Sequence, residues 1–193
     1  MPRTKEFDEQ AVLQKALILF WRQGYHATSM DALVKDLGVN RGSLYATFGN
    51  KRALFEKAFE HYRNENKEKV EAFFKSQNSV KEGLALLFFN GAKAVFEDGM
   101  KKGCLVVNCT SEFLPNDIQM FQILSSNRKG FEQLFQDMIE KGKEKGEFKN
   151  DLDSKAIAAY LFTFFSGLNI VGKLSPEESE LKAIISQGLS ILV

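Results

Sequence analysis

The sequence predicts an all-α protein: an N-terminal three-helix domain containing a helix-turn-helix, followed by a larger helical domain, about nine helices in all. Three observations carry this prediction. Apolar residues recur at three- and four-residue steps through most of the 193 residues, and no run alternates as a half-buried strand does. Only three prolines interrupt the chain, and few glycine-rich turns separate its periodic segments. The stretch Thr28 to Leu54, TSMDALVKDLGVNRGSLYATFGNKRAL, reads as two short helices joined by a glycine-containing turn.

The first helix is expected from Asp8 or Glu9 to Gln23, with Val12, Ala16, Leu19 and Phe20 inward and Gly24 as its stop. Trp21 closes its end, either as a DNA or ligand contact or by packing against the helix-turn-helix. Thr28 with Asp31 three residues on is a variant of the capping box, so the second helix is expected to start there. A helix start also favours an anion, which makes Thr28 and Ser29 candidate phosphate contacts as well as caps. Met30, Leu33, Val34 and Leu37 form this helix's apolar stripe, and Gly38 ends it.

Asn40 is suited to cap a third helix in which Leu44 and Phe48 point one way while Arg41, Ser43, Tyr45 and Thr47 point elsewhere. Such a helix is small enough to enter the DNA major groove. Gly42 costs about 1 kcal/mol of helix stability relative to Ala, which is understandable if its backbone must approach DNA. Arg41 is the residue best suited to bidentate guanine reading, with phosphate contact as the alternative. Asn50 should cap a fourth helix whose inward stripe is Leu54, Phe55, Ala58, Phe59 and Tyr62. Lys51 falls in its first turn, against the helix dipole, a placement that an external phosphate would explain.

The pattern Thr28, Gly38-Val39, Asn40, Gly42, Leu44-Tyr45, Phe48, Lys51 and Leu54 resembles the DNA-binding region of the TetR family of bacterial transcription regulators. The resemblance covers roughly the first quarter of the chain. It implies a DNA-binding set of Thr28, Ser29, Arg41, Gly42, Ser43, Tyr45, Thr47 and Lys51, with Tyr45 and Lys51 on phosphates. Thr47 stands where many members carry His or Tyr, so one backbone contact of the family is weakened here. The family layout implies residues 1–52 as the DNA-binding domain, continuing into a linking helix 51–75, and 76–193 as an effector-binding and dimerisation domain. It further implies a homodimer on double-stranded operator DNA, formed by the two C-terminal helices, 153–174 and 176–192, with Gly167, Gly172 and Gly188 allowing close approach. Packing within one chain is the alternative for those helices.

In the second domain, Ser79 and Glu82 form a capping box for a helix carrying Leu84, Leu87, Phe88, Ala92 and Phe96. GCLVVNCTSEFLP reads as a turn plus a short helix ended by Pro115, and Asn116 as the cap of a long helix through Phe121, Leu124, Phe131, Leu134, Phe135 and Met138. Asp151 or Asp153 opens the next helix. Ser175, Pro176 and Glu178 give a strong start signal for the last one. Phe88, Phe113, Phe121 and Phe162, with Cys104 and Asn108, are candidate effector contacts, the phenylalanines lining an apolar pocket or simply filling a core. Cys104 and Cys109 are either inert or thiol sensors with Lys101 and Lys102 nearby; some relatives sense electrophiles through a cysteine in this region.

Net charge is only +1, but residues 1–52 hold eight Lys and Arg against five Asp and Glu. DNA binding then depends on the placement and doubling of that charge. The charged start MPRTKEFDEQ lacks a signal peptide's apolar core, and the longest uncharged run, Ala156 to Gly172, is shorter than a bilayer span of about 20 residues. A cytoplasmic protein outside the membrane is expected. Two cysteines and two histidines show no metal spacing, and no nucleophile with a partnered base is visible, so neither cofactor nor catalysis is expected. The reading is a repressor released by a small apolar or electrophilic effector. Its alternative is a nucleoid-type DNA binder without an effector.

Overall fold

A computed structural model describes residues 7–174 and 177–192. Among these it contains nine α-helices and no strand: α1 Glu9–Gln23, α2 Met30–Leu37, α3 Arg41–Phe48, α4 Lys51–Lys75, α5 Val80–Glu97, α6 Leu105–Phe113, α7 Ile118–Glu144, α8 Ser154–Val171 and α9 Glu178–Leu189. Short 3-10 turns follow α8 (Gly172–Leu174) and α9 (Ser190–Leu192). The chain forms two compact units, Met1–Asn66 and Lys67–Val193. Their division falls inside α4, whose two halves serve different cores. Leu54, Phe55, Ala58 and Phe59 are buried in the first unit, whereas Phe74 belongs to the core of the second.

The first unit is built as the periodicity requires. Val12, Ala16, Leu19 and Phe20 of α1 are buried, as are Leu33 and Leu37 of α2 and Leu44 and Phe48 of α3. Phe20 meets Phe55 edge-on at 5.2 Å, and Phe55 stacks on Phe59 at 5.5 Å. Trp21 packs edge-on against Tyr62 of α4 at 5.0 Å. Asp8 caps α1, its carboxylate accepting from the Gln10 and Ala11 amides. Gly38 takes a left-handed conformation (φ 67°), which makes the turn from α2 toward α3.

The second unit packs α8 mainly against α7, and α5 against α9. Ser79 caps α5 as expected, accepting from the Glu82 amide at 3.1 Å. The carboxylate of Glu147 adds to this cap from beyond α7, accepting from the Ser79 hydroxyl and the Lys81 amide, each at 2.8 Å. The cap of α7 is Asp117, not Asn116, since Asp117 accepts from the Met120 amide. Asp153 caps α8. Ser175 and Pro176 lie outside the described residues, and α9 begins at Glu178 after Glu177.

Ser154–Leu174 is long and apolar enough to cross a membrane by length and composition alone. In this fold Ile157, Ala158, Leu161 and Leu168 on one side of α8 are buried in the second unit's core. Ile170 and Leu174 remain exposed. Two glycines expected to let copies approach are instead occupied within the chain. A Cβ on Gly188 would lie 2.3 Å from the Phe164 ring, and one on Gly172 would lie 3.0 Å from Val95. Gly167 alone of the three faces open space.

Burial raises the Glu147 pKa, but the Lys81 and Val80 amides, the Ser79 hydroxyl and the charge of Lys145 outweigh it, so the carboxyl titrates below its ordinary 4.5. A depressed carboxyl stabilises the fold above its unfolded pKa and loses that contribution as pH falls through the folded value. Glu147→Gln should therefore lower stability at pH 7 by on the order of 1 kcal/mol. Urea melts at pH 7 and pH 3 should show the gap closing in acid.

Candidate nucleic-acid interface

Eight residues make α3 too short to be a stable helix by itself, so packing and caps fix it. Leu44 and Phe48 are its anchors, 2% and 4% exposed. The Asn40 side chain accepts from the Ser43 amide at 2.8 Å and sets the first turn. With Leu44 and Phe48 inward, Arg41, Gly42 and Tyr45 are exposed, and Ser43 and Thr47 are half-buried. The predicted reading face is thus presented to solvent.

A Cβ on Gly42 would meet nothing closer than the Asn40 Oδ1, at 3.4 Å. Nothing inside the molecule requires glycine there. Arg41 is not isolated: its Nη2 donates to Asp31 Oδ1 of α2 in an exposed ion pair. Sequence spacing singled out Asp31 only as part of a cap, so this pairing was not foreseen.

Two expectations change. Thr28 neither caps α2 nor reaches the surface. Its side chain is fully buried and its hydroxyl donates to the Gly24 carbonyl at 2.6 Å, while Ser29 takes the cap and accepts from the Ala32 amide. A threonine wrapped in the α1–α2 connection cannot touch DNA, whereas exposed Ser29 can. Lys51 owes its position to internal partners. Its ammonium donates to the Tyr25 and Thr28 carbonyls, each at 2.9 Å, and lies 4.3 Å from the Tyr25 ring centroid. Those carbonyls supply the negative partner that the dipole argument sought from a phosphate.

The candidate effector residues differ in burial and in their partners. Phe88 is fully buried, stacked on Phe164 at 5.5 Å and edge-on to Phe165 at 5.6 Å. Phe113 is buried on α6, and Phe162 packs half-buried against the core. Phe121 is a correction: it is 51% exposed, because Met120 takes the inward position on α7. Asn108 is occupied internally, its Nδ2 donating to the Lys102 carbonyl at 2.8 Å and its Oδ1 accepting from Lys173. Cys104 is half-buried at the start of α6, and Lys102 pairs with Asp98 at 2.7 Å. Burial pushes the Cys109 thiol far above its ordinary pKa, with Glu112 and Cys104 adding to the shift, so it does not ionise at neutral pH. A separate groove of about 550 Å³ runs between α5 and α9, lined by Leu86, Phe89, Lys182, Ile185 and Leu189 among others.

A capped, anchored second helix with Arg41, Gly42 and Tyr45 exposed, following a Gly38 turn, defines the class: a helix-turn-helix DNA-binding protein. The chain belongs to the TetR family of bacterial regulatory proteins, since residues 12–58 match that family and residues 84–187 match the tetracyclin repressor-like C-terminal domain. It is 32% identical to YezE, an uncharacterised helix-turn-helix-type transcriptional regulator of Bacillus subtilis, over the whole of both chains. Over 98% of this chain and 90% of the other, it is 30% identical to ComR, a helix-turn-helix-type transcriptional repressor of Escherichia coli. Its fold superposes with a TM-score of 0.86 on the TetR family regulator CifR, solved as a cysteine mutant with a 26-bp double-strand operator. The two are 28% identical, with 97% of this chain and 98% of that one covered.

Lys51→Met should destabilise the first unit by about 1 kcal/mol, because the part-buried Tyr25 and Thr28 carbonyls lose a charged donor. Thermal melts of the full chain would measure it. Gly42→Ala should leave the melting temperature unchanged or raise it, because the added methyl has room and improves helix propensity.

Proposed function

We propose that this protein is a homodimeric transcriptional repressor that binds operator DNA through α3 and is released by a small apolar or electrophilic effector. The observation that carries the reading is the face of α3: Arg41, Gly42 and Tyr45 exposed, with Leu44 and Phe48 holding the helix from behind. Arg41 and Ser43 serve base or phosphate contacts, Tyr45 and Ser29 serve phosphates, and Thr47 adds a shorter reach at the same edge. Lys51 acts mainly by fixing the connection before α2. Any phosphate contact it makes uses what remains of its ammonium.

One eight-residue helix reads too few bases for useful specificity. Two copies about 34 Å apart reach successive major grooves on one side of the duplex. The outer face of α8 supports such a pairing, because Gly167 lies open beside exposed Ile170, Val171 and Leu174. α9 adds exposed Ile191 from the turn that follows it. Effector release rests on the Phe-rich second unit and on half-buried Cys104. An effector that binds one arrangement of α5 to α8 better than another shifts the population toward the form with low operator affinity. A protein with this role works in the cytoplasm.

Tyr45→Phe should weaken binding two- to tenfold on operator and random duplex alike, the loss expected for one phosphate hydrogen bond. Fluorescence anisotropy across a salt series would read it, and unchanged affinity would remove Tyr45 from the interface. Ile170→Glu should convert a sedimenting dimer to monomer and abolish operator binding while leaving helicity intact. A panel of apolar and electrophilic compounds should include at least one that releases the duplex; Cys104→Ser would separate thiol chemistry from simple binding.

A further inference from the structure

Asp31 is an acid on a face that has to meet phosphates. It stands in the first turn of α2, two residues after the Ser29 cap, and its side chain is 89% exposed. It holds the Nη2 of Arg41, itself half-exposed at the first position of α3. An exposed ion pair of this kind adds little to folding stability, and an acid in the first turn gains only modestly from the helix dipole, so neither requires that the carboxylate be aimed at Arg41. Against a duplex the same carboxylate works against affinity, since each negative charge opposes the phosphate field that drives non-specific binding.

We propose that Asp31 is a positioning residue for sequence reading: it fixes the Arg41 guanidinium for a base edge and keeps it from collapsing onto the nearest phosphate. Arginine suits this role because its planar fork has five donors. One Nη2 hydrogen engaged by Asp31 leaves the other on a two-donor edge for the O6 and N7 of a guanine. Exclusion of water in the groove strengthens the Asp31–Arg41 pair just when it is needed. The carboxylate also repels phosphate if the protein sits out of register, so discrimination comes from attraction to the right site and repulsion from wrong ones. Gly42, next to Arg41 and exposed, leaves the approach open.

The inference rests on α3 being the reading helix, and the test separates the two. The wild-type dimer selects duplexes from a random 20-bp pool, and anisotropy then compares the selected duplex with a scrambled one of equal composition. Arg41→Ala should lower the selected-to-scrambled affinity ratio about tenfold or more. Asp31→Asn should also lower that ratio about tenfold, chiefly by tightening the scrambled duplex, with a salt slope steeper by about one. Asp31→Glu should retain most of the ratio. In an Arg41→Ala background, Asp31→Asn should leave the ratio unchanged.

If Asp31→Asn tightens both duplexes equally, or acts identically without Arg41, Asp31 is only a surface charge and the proposal is overturned. If Arg41→Ala leaves the selected duplex bound as before, or the pool yields no preferred sequence, the assignment of α3 as the reader fails, and the role of Asp31 falls with it. Melting temperatures of the exposed-site variants should stay within a few degrees of the parent, so folding does not confound the comparison.

Discussion

The outward face of α3 depends on the burial of two side chains. Leu44 and Phe48, four residues apart on α3, are almost completely removed from water. They determine which side of an otherwise marginal helix faces out. Were they rotated by one residue, Tyr45 would turn inward and Arg41 would no longer share its exposed face. Lys57 of α4 lies 5.6 Å from the Phe48 ring centroid and covers that anchor.

The ends of the helices are fixed by a second kind of constraint, the need to satisfy unpaired backbone groups. Ser29, Asn40, Asn50, Ser79, Asp117 and Asp153 each accept from an amide in the turn they open. Lys51 does the complementary work for carbonyls, gathering those of Tyr25 and Thr28 under one ammonium. Buried Thr28 donates its hydroxyl to Gly24, so the whole connection between α1 and α2 is tied by side chains. That connection places the first turn of α2, and with it Ser29 and Asp31.

The second unit uses its aromatic residues differently from what their number invites. Phe88, Phe164 and Phe165 fill space against one another, and the Phe164 ring fits against the bare backbone of Gly188. The Tyr160 hydroxyl donates to the Gly188 carbonyl at 2.9 Å, which joins α8 to α9. Close packing of this sort consumes glycines that would otherwise have been available to a neighbouring copy. What remains outward on α8 is a smaller, apolar strip around Gly167 and Ile170.

The sequence by itself determined the helical class, the helix-turn-helix and the starts of α1, α3, α4, α5 and α8, because 3.6-residue periodicity and capping chemistry are local and act within a few residues. Val12, Ala16, Leu19 and Phe20, and likewise Leu54, Phe55, Ala58, Phe59 and Tyr62, lie inward as their spacing requires. Only the tertiary structure decided which neighbour completes each group. The choice of Met120 over Phe121 for the inside of α7, the engagement of Asn108 by Lys173, the carboxylate that Glu147 brings to α5 and the pairing of Arg41 with Asp31 all join residues that periodicity cannot relate. Contacts between residues ten to 68 positions apart depend on how whole helices pack, and that information is not contained in any local stretch of chain.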